Sequence, residues 1–150
     1  MKSIKQSIKS KVLRQLDLKI KDISNAVKSL KESRDADTKS SAGDKHETSR
    51  AKIQTEIDQL SKQLNNAQRQ KINLSIIDTN HLHSVADVGS LVETNKGYFF
   101  ISIGWGRIQI QGENYFVISI ESPIGRLLKN KKKGYSIQFR DTAYDIINVS

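Results

Sequence analysis

The chain has 150 residues, 36% of them hydrophobic, with 25 Lys and Arg against 16 Asp and Glu and no Cys. That length suits one domain or two small ones, and the apolar content is thin for a single large core. The missing Cys excludes disulfides, thiolate metal sites and a Cys nucleophile, and the net charge of +9 favours an anionic partner such as nucleic acid or an acidic protein channel.

The charge and the aromatics are unevenly spread. Residues 1–80 carry 17 basic and 10 acidic side chains, and residues 81–150 carry 8 and 6. The Trp, the four Tyr and the four Phe all fall between Tyr98 and Tyr144. A stretch without aromatics is poor material for a globular core and good material for a narrow helical seam. The expected fold class is therefore α+β in two dissimilar modules: an antiparallel coiled-coil hairpin over residues 1–77 and a small antiparallel β-rich domain over 78–150. The opening Met1-Lys2-Ser3-Ile4-Lys5 is too regularly charged for a signal peptide, and no apolar run approaches the ~18 residues of a membrane span, so the expectation is a cytoplasmic protein with no membrane partner.

Ile4, Ile8, Val12, Leu16, Ile20, Ile23, Val27 and Leu30 recur at steps of three and four, which predicts one long helix with a single apolar stripe. Leu13 and Leu18 are expected to widen that stripe, and the lysines around it to be solvated. Ile53, Ile57, Leu60, Leu64 and Ala67 repeat the rhythm on a return arm. Between the arms lies a polar stretch, residues 34–47, with no large apolar residue and the densest group of carboxylates. It reads as the tip of the hairpin. Asp44 is a candidate N-cap for the return helix, with Glu47 at capping-box spacing.

From about residue 75 the period changes. Asp78–His83 reads as a connection, with His81 and His83 as linker surface. Residues 90–94, 98–103, 115–120 and 135–139 are β-branched and aromatic, hence strands, with Asn95-Lys96-Gly97 turning between the first two. A further short strand is expected over 107–111, and a helix over 122–128 before a basic run. Trp105, between two glycines, is expected in a packed turn.

The chemistry to weigh sits at the tip. Mg²⁺ binds oxygen ligands octahedrally and usually takes only one or two protein carboxylates. Asp44 and Glu47, three apart on a helix, project in roughly one direction. Alone they make a poor site; added to an anionic active centre elsewhere, they suffice to hold a second ion and its water in a two-metal hydrolysis. The competing reading is a plain helix cap at an exposed loop. Asp35 and Asp37 are read as loop-solubilising acids, and the three His as too scattered for a metal site.

A long hairpin with acids at its tip followed by a small β-domain resembles the bacterial Gre transcript-cleavage factors. The more specific match is Glu121-Ser122-Pro123-Ile124-Gly125-Arg126-Leu127-Leu128-Lys129-Asn130-Lys131-Lys132-Lys133-Gly134, similar to the Ser-Pro-x-x-Arg-Ala-Leu-Leu-Gly-Lys-Lys-x-Gly-Asp segment of that family. Leu127, Lys129, Asn130 and Tyr135 depart from it. At the tip, Gly43-Asp44-Lys45-His46-Glu47 keeps the family's Gly, Asp and Glu, with Lys45 and His46 in place of Leu-Ser and Thr48-Ser49-Arg50-Ala51 in place of Asn-Ala-Glu-Tyr.

The resemblance implies an FKBP-like C-terminal domain, binding to RNA polymerase through Ser122, Pro123, Arg126, Lys131 and Lys132, and insertion of the hairpin into the secondary channel. Asp44 and Glu47 would there help hold the polymerase's Mg²⁺ against backtracked RNA, with nascent RNA near the tip. It also implies an accessory factor rather than an enzyme, with no cofactor of its own and no small-molecule substrate. Three other readings remain open: a channel-binding modulator or inhibitor without cleavage stimulation, a prolyl isomerase, and a basic coiled coil that binds nucleic acid directly.

Overall fold

The computed structural model describes the backbone of residues 3–37 and 43–150 and the side chains of 3–36 and 47–150. Two long helices, α1 (Ile4–Asp37) and α2 (Gly43–Ser75), precede six strands and one short helix. The fold class is α+β. The chain forms two compact units, Arg14–Lys71 and a second made of Met1–Leu13 with Ile72–Ser150. The helix feet, residues 1–13 and 72–77, thus belong with the β-rich module. Among the described residues, no helix is long and apolar enough to cross a membrane.

In the helical unit, Ile23, Val27 and Ile57 are buried, with Leu30, Ile53, Leu60 and Leu64 packed around them. Burying each aliphatic stabilises the pair by at most ~1.5–3 kcal/mol, so the seam is shallow. Polar rungs set its register. Lys71 meets the Asp17 carboxylate at 2.6 Å, and Arg34 donates to the Gln54 side-chain Oε1 at 2.7 Å. The residue numbers of the two pairs have the same sum, as an unshifted antiparallel pairing requires. The sequence midpoint of that pairing is residue 44. Leu18 does not join the stripe and is 63% exposed. It follows Leu16 by two positions, which is about 200° around a helix and so the opposite face.

In the other unit the strands are β1 (Leu91–Thr94), β2 (Gly97–Ser102), β3 (Gly106–Ile110), β4 (Glu113–Ser119), β5 (Ser136–Phe139) and β6 (Thr142–Val149). The sheet order is β3-β4-β2-β1-β6-β5. The purely antiparallel sheet expected from sequence is corrected: β2 and β4 run parallel, Tyr98 opposite Tyr115 through Ser102 opposite Ser119. The β3–β4 hairpin turns through Gln111 and Gly112, both at positive φ, and lays β4 between β3 and β2. Trp105 sits half-buried in the turn before β3, its backbone N–H donating to the Val117 carbonyl at 3.1 Å.

α3 (Pro123–Leu128) lies over one face of this sheet. Ile124 and Leu128 join Val92, Phe99, Ile101, Ile137, Ile146 and Val149 in the core, with Phe116, Ile118, Phe139 and Tyr144 packed partly buried against it.

Candidate functional site

The C-terminal site is built by the turn into α3. Ser122 takes extended backbone angles, its Oγ accepting from the Gly125 N–H at 3.1 Å and donating to the Ser119 carbonyl at 2.7 Å. Pro123 follows at the first helical position, where a missing N–H costs nothing. Gly125 is there because nothing larger fits: a Cβ would stand 2.1 Å from the Ser119 carbonyl oxygen and 2.9 Å from that of Ile120.

The basic run that follows is pinned rather than loose. Asn130 takes a left-handed φ of 65°. Its N–H donates to the Ala86 carbonyl at 2.8 Å, and the Ala86 N–H donates to the Lys131 carbonyl at 2.8 Å. Lys132 pairs with Val85 in a single antiparallel bridge. Pro123, Arg126, Leu127, Lys129, Lys132, Lys133 and Tyr135 are exposed, and Lys131 is half-buried. Residues 122–140 hold six cations and no carboxylate. Ser122, Pro123, Arg126, Lys131 and Lys132 therefore fall on one ordered segment.

Beside α3 lies a 270 Å³ cavity lined by Lys96, Phe99, Phe116, Ile118, Ile124, Phe139 and Tyr144. Phe99 stacks on Phe116 with centroids 5.4 Å apart and meets Tyr144 edge-on at 5.7 Å. Lys96 stands over the Tyr144 ring and Arg140 over that of Phe139. The sheet thus leaves an aromatic hollow flanked by two cations.

Searches against protein-family models, curated proteins and solved structures find no match to this chain.

At the other candidate site, α2 begins at Gly43. Asp44 consequently lies inside the first helical turn and not at the N-cap expected for it. Asp44 and Glu47 stay on one helix, three residues apart, and Glu47 is exposed. The side chains of Asp37, Asp44, Lys45 and His46 lie outside the described residues. Asp35 pairs with Arg34 at 3.2 Å. Among the described residues, no group of three or more His, Asp or Glu is placed to hold a metal ion.

Residues read as inert surface have structural work at the helix feet. Lys5 is 4% exposed, and its Nζ donates to the carbonyls of His81 at 2.7 Å and Gly89 at 3.0 Å. Burial pulls its pKa below the usual lysine value, with Asp78 opposing the shift. One turn on, Lys9 Nζ donates to Ser75 and Ile77 carbonyls at 2.9 and 2.8 Å, satisfying acceptors that the end of α2 leaves open. The i, i+4 spacing of the two lysines is the only sequence trace of this clamp. His83 is half-buried, against the surface position expected, and its ring packs edge-on to His81 with centroids 4.5 Å apart. Burial first, then the electrostatic influence of Lys5 and of His81, lower the His83 pKa against the pull of Asp87.

Proposed function

We propose that this protein is a transcription elongation factor of the Gre type. It binds RNA polymerase through the C-terminal unit, inserts the α1–α2 hairpin into the secondary channel, and brings Asp44 and Glu47 to the Mg²⁺ ions of the polymerase active site to stimulate cleavage of backtracked RNA. One combination carries the reading: an antiparallel hairpin whose pairing has its sequence midpoint at Asp44, joined in one chain to a rigid Ser122-Pro123 turn and its basic run.

The finer description of the sheet as FKBP-like belongs to the same proposal, supported by a mixed sheet with a short helix across one face. The polymerase contacts are Ser122, Pro123, Arg126, Lys131 and Lys132. The exposed Pro123 and Leu127, the flanking cations and the aromatic hollow beside Ile124 suit a partner with an apolar side chain set among carboxylates. Lys131 and Lys132 hold the loop through their backbones, which frees their side chains for a partner.

In this reading the chain is no enzyme by itself. Its carboxylates add ligands to an ion that the polymerase supplies, and that ion activates the attacking water. Co-migration with core RNA polymerase on gel filtration tests the docking half. Wild type should co-elute, and the triple variant Arg126→Glu, Lys131→Glu, Lys132→Glu should not. Equal co-elution of both would remove the basic run from the interface. A second reading, channel binding without cleavage, is favoured by Lys45 and His46, which put cationic or neutral groups where the family pattern has Leu-Ser.

A further inference from the structure

A second cavity of the β-rich unit is unconnected with the docking turn. It has a volume of 570 Å³ and is lined by Asn73, Ile76, Ile77, Asp78, His81, His83, Val88, Gly89 and Ser102. That size falls within the range of small-molecule sites, as does a lining that is mainly apolar with a few converging polar groups. Its walls are held by backbone hydrogen bonds and by the lysine clamp. Lys5 ties together His81 and Gly89, and the Gly89 N–H donates to the Ile101 carbonyl at 2.8 Å, locking the loop to β2. Gly89 sits at a φ of 90°, and a Cβ there would stand 3.3 Å from His83 Nε2. Glycine therefore lets the imidazole close one side of the cavity.

Two observations point to a ligand. Ser102 Oγ is the one buried side-chain polar atom among the described residues with no hydrogen-bond partner in the protein, and Ser102 lines this cavity. A buried hydroxyl without a partner is costly, and turning the Ser102 side chain toward the cavity lets a bound polar group offset that cost. In addition, Ile76 is 76% and Val88 45% exposed, so the apolar wall lies open to solvent. Left open among the described residues, these two aliphatics gain most from an apolar body seated beside them.

The charges of the walls are already used. Lys5 spends its ammonium on two carbonyls, and the Asp78 carboxylate accepts the Asn80 N–H at 2.9 Å. With its pKa lowered, His83 is neutral near pH 7. The His83 imidazole, a hydroxyl and an amide remain, all able to donate or accept to the edge of a ring. The His81 and His83 rings, 85° apart, offer both a face and an edge to a flat partner.

We infer that the cavity between the end of α2, the His81–Gly89 loop and Ser102 is a binding site for a small uncharged heteroaromatic molecule. On binding, Ser102 Oγ turns into the cavity to meet a ring-edge nitrogen or oxygen, and Ile76, Ile77 and Val88 pack on the ring. The site is a ligand site with no chemistry of its own.

The test is an amide-resolved NMR titration of the ¹⁵N-labelled full chain with benzimidazole and adenine, with benzoate as the charged control. Saturable shifts are expected at Ile77, Gly89 and Ser102 with a Kd of roughly 1 mM for ligands this small, and little response to benzoate. Ser102→Ala should weaken binding about five-fold, and Val88→Trp, which fills the cavity, should abolish it. Failure to saturate, shifts centred elsewhere, benzoate binding as tightly, or an unchanged Kd in Ser102→Ala would each overturn the assignment. Ser102→Ala carries the test if Val88→Trp disturbs the fold.

Discussion

Gly125→Ala is the substitution most damaging for its size. One methyl group is added at a position of ordinary helical φ, so backbone strain does not enter. The added carbon would lie 2.1 Å from the Ser119 carbonyl oxygen, 2.9 Å from that of Ile120 and 2.9 Å from Ser122 Oγ. Two of these are main-chain atoms at the end of β4, so α3 must move away from the sheet. Overpacking of this kind costs roughly 1–3 kcal/mol. The movement also breaks the Ser122 cap on Gly125 N–H, worth about 1 kcal/mol. The expected loss is about 2–4 kcal/mol, or roughly 5–15 °C in Tm for a chain of this size. Because every aromatic residue lies between Tyr98 and Tyr144, near-UV circular dichroism during urea unfolding reports on the β-rich unit alone. A midpoint equal to wild type would show that α3 does not sit as closely on β4 as described.

Other predictions follow from the same geometry. Ile57→Ala, in the shallow seam with Ile23 and Val27, should cost about 2 kcal/mol, seen as an earlier far-UV melt with the near-UV signal unchanged. Lys5→Ala removes the donor to His81 and Gly89 carbonyls; it should destabilise the β-rich unit by about 2–3 kcal/mol, more than Lys28→Ala on the exposed face of α1. The lowered His83 pKa means the unfolded chain binds more protons at pH values between the folded pKa and 6.5. Stability from this group is therefore complete above pH 6.5 and lost as pH falls through that window. His83→Asn should flatten the acid limb of the stability profile, and an unchanged limb would contradict the burial described.

The parts of the fold visible in sequence are those set by local periodicity. The steps of three and four from Ile4 to Leu30 place Ile8, Val12, Leu16, Ile23 and Val27 in buried positions, and the apolar runs at 98–103 and 115–120 become β2 and β4. β6 escaped because a register irregularity opposite Glu93 and Thr94 leaves Ile147 as an extra residue, so Ile146-Ile147 breaks the alternation that marks a strand. The parallel β2–β4 pairing escaped because a turn signal such as Asn95-Lys96-Gly97 gives a local connection and not the order of strands in the sheet.

The candidate sites divide in the same way. Ser122, Pro123 and Gly125 are legible because capping and tight packing need those residue types within a few positions of one another. Lys5 and His83 were not, since a lysine acquires its partners from carbonyls 76 and 84 residues away. Nothing in the local pattern around Ser102 marks it as facing a cavity. The Asp44 and Glu47 spacing is legible as a helical pair, while their role depends on groups that only a partner can bring.

Cleavage of end-labelled RNA in a backtracked elongation complex of the cognate polymerase, with Mg²⁺ present, tests the central claim most directly. Wild type should shorten the transcript at a rate well above the polymerase alone. Asp44→Ala with Glu47→Ala should abolish that stimulation while still co-eluting with polymerase. Equal cleavage by wild type and the double variant would contradict the assignment of the two carboxylates, and no stimulation by wild type bound to polymerase would contradict the cleavage function itself.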